Sequence, residues 1–140
     1  MMQAIRKILP LVAGLFFAHA NAAPAVDSEC LNHLGGGQGD VECYGALTNE
    51  LVTDSKATYQ KIAKTIPKGN PNSARLAAYS ATQNREIQFC KLKMQAPSGW
   101  APDSSAPLLN MYDAIYAECV YDVRKNENNF LHDVLNAISR

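Results

Sequence analysis

Four cysteines, Cys30, Cys43, Cys90 and Cys119, constrain this chain more than any other feature, because all of them follow a leader-like N-terminus. Arg6 and Lys7 precede an apolar stretch from Ile8 to Ala18, and Ala20-Asn21-Ala22 closes the segment with small residues. Charge, then an apolar run, then A-x-A is the order of a secretory signal peptide, so residues 1–22 are expected to be removed and residues 23–140 to form one mature domain. The apolar run is about a dozen residues long and Pro10 interrupts it, whereas a permanent membrane helix needs about 20. Cys30 follows Asp27-Ser28-Glu29 rather than small apolar residues, which argues against lipid attachment there. The expected location is periplasmic or secreted, with no membrane association after cleavage.

In an oxidising compartment an even number of cysteines pairs completely. Four cysteines allow three connectivities. Pairing Cys30 with Cys43 and Cys90 with Cys119 is favoured, because each bond then closes a short segment that reads as a loop or a helix-to-helix turn. A metal centre is not expected: there is no C-x-x-C pair and no histidine at ligand spacing. No cofactor is implied by any motif.

Charge narrows the partners. Thirteen Lys and Arg balance thirteen Asp and Glu, and loss of Arg6 and Lys7 with the leader makes the mature chain slightly acidic. No basic patch is present, so nucleic acid is not an expected partner.

The apolar pattern is helical throughout. From Val41 to Ile66, Tyr44, Leu47, Leu51, Ser55, Tyr59, Ile62 and Ile66 recur on one face, which predicts a helix of about 39 Å at 1.5 Å per residue. Pro67-Lys68-Gly69-Asn70-Pro71 ends it. A second helix is predicted from Asn72 or Ser73, either of which can cap it, to about Ala96, with Leu76, Tyr79, Gln83, Ile87, Cys90 and Met94 inward. The run from Pro97 to Ser105 is rich in turn formers and reads as a loop. A third helix is predicted to start near Ser105 with Pro107 in its first turn. Its inward residues are Leu108, Met111, Ile115, Cys119, Val123, Phe130, Val134 and Ile138, and Asn126, Asn128 and Asn129 weaken its middle enough to predict a bend or a split. The fold class that follows is all-α: a small disulfide-stapled bundle of about three long helices behind a Gly-rich N-terminal loop. That loop, Gly35-Gly36-Gly37-Gln38-Gly39, lacks the Gly-Lys-Ser/Thr ending and the preceding strand of a phosphate-binding loop. It is expected to be a flexible segment tethered by Cys30 and Cys43, with Asp40 as the cap of the first helix.

Chemistry-bearing residues are sparse. His33 and His132 remain after the leader, with no nucleophile motif around either; a fold could bring His132 to Asp133 or Ser80. The i,i+4 pairs Glu50 with Asp54 and Glu118 with Asp122 read as solvated faces. Six tyrosines supply rings for a core seam or an interface. Trp100 stands alone in the Pro-rich loop, where it either folds back over the helices, the favoured expectation, or anchors a partner.

The cysteine layout resembles a family. Cys30, a glycine-rich stretch, and Asp40-Val41-Glu42-Cys43 leading into a helix with Leu51 and Tyr59 resemble the start of the LprI-type lysozyme inhibitor domain. Arg85-Glu86-Ile87-Gln88-Phe89-Cys90 is similar to its aromatic-Arg-Asp-x-x-Cys element, and Tyr116-Ala117-Glu118-Cys119 with Arg124 and Leu131 to its closing helix. The sequence departs from that pattern in two places: Thr82 stands near the position of a tryptophan, with Tyr79 the closest aromatic, and Arg85-Glu86 is one residue out of register. The resemblance implies an exported, non-enzymatic protein-binding domain with a lysozyme as target, contacted through Gly36 and Gln38 of the tethered loop or through Trp100. The alternatives are a periplasmic immunity protein against a cell-wall-degrading toxin, and a small envelope hydrolase using His132 or His33.

Overall fold

The computed structural model describes residues 28–100 and 110–140. The leader, Ser105, Pro107 and Leu108 lie outside the described residues. A 3₁₀ turn, Ser28–His33, leads into three long helices: α1 over Gln38–Thr65, α2 over Asn72–Gln95 and α3 over Met111–Ile138, with a second 3₁₀ turn, Ala96–Ser98, extending α2. Among the described residues there is no strand. No helix among them is long and apolar enough to cross a membrane. The domain is all-α and stapled by two disulfides, Cys30 to Cys43 and Cys90 to Cys119. Both bonds fit an oxidising environment.

The short turn after Thr65 sends α2 back along α1, and α3 runs parallel to α1, Tyr121 meeting Tyr44 and Asn128 meeting Asp54. Consequently the start of α1, the end of α2 and the start of α3 share one end of the bundle. Gly36 lies near Met111 there, so that a methyl group added at its Cα would just touch the methionine side chain.

The helix starts differ from the sequence expectation for identifiable reasons. α1 begins at Gln38, three residues before Val41, and Asp40 is not its cap. Gly37 occupies that position, and Asp40 in the first turn reaches back to accept hydrogen bonds from the amides of Gly35 (2.9 Å) and Gly36 (2.6 Å). A carboxylate at this end also complements the helix dipole. The glycine-rich segment is thus tied down by a buried carboxylate as well as by a disulfide, rather than merely tethered. Gly36 needs its missing side chain, since its φ is +80°.

Neither Asn72 nor Ser73 caps α2. Pro71 holds the cap position without a side-chain bond, and Asn70, one residue further out, accepts from the Asn72 amide through its Oδ1 at 2.9 Å. α3 starts at Met111 with a capping box: Asn110 Oδ1 accepts from the amides of Tyr112 (2.8 Å) and Asp113 (3.4 Å), and Asp113 Oδ2 accepts from the Asn110 amide (2.9 Å).

α3 also runs unbroken through its asparagines. Asn128 is buried and its amide donates to Asp54 Oδ2 and Ser55 Oγ on α1, so a residue that weakens an isolated helix here joins two helices. The buried line of α3 is Ala114, Glu127, Asn128 and Leu131, whereas Met111, Phe130 and Ile138, predicted inward, are exposed. The face is rotated because Leu131, only 1 % exposed, takes the central position and Phe130 moves to its flank. There the Phe130 ring lies 4.3 Å from that of Tyr79. On α2 the predicted inward residues Leu76, Gln83 and Cys90 are all buried.

The apolar core sits toward the far end of the bundle. Ile62, Leu76 and Leu131 form its centre, with Tyr59, Ile66, Tyr79, Val134 and Leu135 around it. The near half buries Cys43, Tyr44, Leu47, Cys90 and Ala114 instead, and Tyr44 meets Tyr121 at 5.5 Å.

Candidate functional site

The end of the bundle that joins α1, α2 and α3 collects the three residues expected to contact a partner. α2 stops there in a hydrogen-bonded helix end. Gly99, with φ +70°, donates its amide to the Ala96 carbonyl at 3.2 Å, and Trp100 donates to the Gln95 carbonyl at 2.9 Å. Bonds of this kind satisfy the last carbonyls of a helix. Trp100 itself takes φ +66°, in the left-handed region that bulky residues avoid. The ring does not fold back over the helices, the arrangement favoured from sequence: Trp100 is 64 % exposed.

Two more apolar side chains stand out on the last turns of α2. Phe89 is 64 % and Leu92 52 % exposed, and three residues apart they share one face. Gly36 and Gln38 lie at the same end. Gly36 is half-buried and its amide is held by Asp40. Gln38 is exposed, with its side-chain amide donating to Glu42 Oε1 at 2.7 Å.

Acidic residues gather in this half of α1 and α3. From Gln38 to Ser55, α1 carries Asp40, Glu42, Glu50 and Asp54 with no Lys or Arg. From Met111 to Val123, α3 carries Asp113, Glu118 and Asp122, again with none. α2 brings Arg85, Lys91 and Lys93 to the same half, and Lys93 lies 3.5 Å from Glu118. Tyr44, inside this half, has its hydroxyl pushed above the ordinary phenol value by burial first and then by Glu118, Asp122 and Asp40.

Midway along the bundle the structure makes a polar joint that sequence reasoning missed. His132 Nε2 lies 2.5 Å from Asp54 Oδ2, which also accepts from Asn128 at 2.8 Å. The Asn128 hydrogen bond, then that to His132, holds the Asp54 carboxyl below its ordinary range. His132 therefore meets Asp54, not Asp133 or Ser80. Among the described residues it makes no hydrogen bond to a hydroxyl, and no cysteine is free. The hydrogen bonds from Asn128 and His132 to Asp54 tie α3 to α1. The signal was available in part, since Asn128 and His132 are four apart on one helix face. Asp54 reads as solvated from sequence because its partners lie 74 and 78 residues away. Among the described residues no cluster of His, Cys, Asp and Glu could hold a metal.

The chain matches no family model, no curated protein and no solved structure.

Proposed function

We propose that this chain is an exported, non-enzymatic binding protein of the periplasm or cell exterior that docks onto another protein through the α2 end, with a lysozyme as the target. The observation that carries the reading is Trp100. A large ring held in solvent at a positive φ costs free energy, on the order of 1 kcal/mol for a non-glycine residue, and such costs persist where function requires the geometry. An exposed aromatic on an ordered turn is also the residue type that dominates protein interfaces, since little entropy is lost when it docks. Phe89 and Leu92 extend the apolar contact, while the carboxylates of α1 and α3 suit a basic enzyme surface and steer its approach.

The test is inhibition of a lysozyme by the mature, disulfide-intact protein. Stoichiometric inhibition that Trp100→Ala weakens by about tenfold or more, the loss of one interface anchor, supports the reading. Unchanged lysozyme activity at large molar excess ends it.

A further inference from the structure

α1 and α2 each pack more closely on α3 than on one another, sharing the far-end core where Ile62 and Leu76 join Leu131. The groove between them is floored by α3 and widens at mid-length into a cavity of about 250 Å³. Its apolar walls are Val52 and Tyr59 of α1 and Leu131 of α3. Its charged groups are Lys56, Arg124 and Glu127. Glu127 is only 5 % exposed, and Arg124 neutralises it across 2.6 Å while its other terminal nitrogen donates to Asn84 Oδ1 at 2.7 Å. With that pair cancelled, one positive charge is left over: Lys56, exposed at the rim, has no hydrogen-bond or ion-pair partner among the described residues. The guanidinium also keeps N–H groups beyond the two it has committed.

A concave site with apolar walls and a few convergent polar groups is the usual form of a small-molecule pocket. Charge and size select the ligand. One surplus cation calls for a monoanion, and the apolar walls call for a hydrocarbon body. A dry cavity of about 150 Å³ accepts benzene, so the larger volume here has room for a ring and a carboxylate. We propose that this cavity binds a small aromatic monocarboxylate, its carboxylate toward Lys56 and Arg124 and its ring between Val52, Tyr59 and Leu131. The site lies along the groove, apart from the Trp100 end, and does not depend on the protein-binding reading.

Three probes of matched shape, phenylacetate, 2-phenylethanol and 2-phenylethylamine, are titrated into the disulfide-intact protein and followed by amide chemical shifts. Phenylacetate is expected to give saturable shifts at Val52, Lys56 and Asn84 with a Kd on the order of 1 mM, as suits a ligand of so few atoms. The alcohol and the amine are expected to bind about tenfold more weakly, the loss of one charged contact. Arg124→Gln leaves Glu127 buried and unpaired and endangers folding, so two exposed positions carry the mutational test. Lys56→Gln is expected to weaken phenylacetate several-fold with an unchanged melting temperature. Val52→Trp, which plugs the mouth, is expected to abolish the shifts. The proposal is overturned by any of four results: no saturable shift at these residues up to about 10 mM, where a site of this strength is filled; equal affinity for the three probes; undiminished binding by Val52→Trp; or shifts that follow protein concentration alone, which place a second copy in the groove.

Discussion

At the far end of the bundle Ile62, Leu76 and Leu131 meet and need no covalent help, whereas at the near end the buried residues include cystine sulfurs, a tyrosine and an alanine, and both disulfides lie in that half. The difference shows how a small domain can divide its tasks. One end gains stability from burial of apolar surface, and the other is held by cross-links that restrict the unfolded chain. Rigidity at the near end then no longer depends on burying every large side chain, which leaves Phe89, Leu92 and Trp100 free to face solvent.

The largest effects test that division. Removing the Cys90 to Cys119 bond with a double alanine variant is expected to cost about 3.6 kcal/mol from its sequence separation of 29, and removing Cys30 to Cys43 about 2.9 kcal/mol from its separation of 13. Denaturant unfolding of both variants checks the order. Leu131→Ala attacks the other end and is expected to cost about 3 kcal/mol, the usual loss for a fully buried leucine. If it costs under about 1 kcal/mol, less than any such core deletion, the far end is not the packed one.

Smaller effects sharpen the comparison. Trp100→Gly is expected to raise stability by up to about 1 kcal/mol by relieving the left-handed backbone, while weakening partner binding; Trp100→Ala loses binding without that gain. Calorimetry on the two variants separates strain from contact. Asp54 gives the pH dependence. Its folded pKa is depressed by Asn128 and His132, so its contribution is present above the unfolded value of about 4 and is lost as pH falls below it. Because the carboxylate is about half exposed, the effect is at most about 1 kcal/mol. Asp54→Asn is expected to flatten the acid limb of the stability curve by lowering stability at neutral pH by up to that amount, while leaving it little changed well below the unfolded value.

Much of the fold is legible in residue order. The helical period puts Tyr44, Leu47, Ile62, Leu76 and Cys90 on inward faces, where the structure has them buried, and the Pro-Gly run at 67–71 separates α1 from α2. What escapes is polar and long-range. Helix starts are displaced because Asp40 and Asn70 each hold backbone amides from positions that the capping pattern does not single out. Asn128 reads as a weakness because propensity describes an isolated helix, and here a hydrogen bond across 74 residues overrides it. The face of α3 reads one residue off since Phe130 and Leu131 are both apolar, and only packing on Tyr79 decides which turns inward. Among the expected contact residues, Trp100 stands out by its rarity. The strained turn that presents it, and the cavity floored by Arg124 and Glu127, depend on geometry that no local pattern encodes.

Amide hydrogen exchange of the oxidised and reduced protein under native conditions tests the two-ended account most directly. Reduction is expected to lower protection in the first turns of α1 and α3 and the last turns of α2, while amides around Ile62, Leu76 and Leu131 keep most of theirs. Equal loss of protection along all three helices, or loss concentrated at the far end, would contradict it.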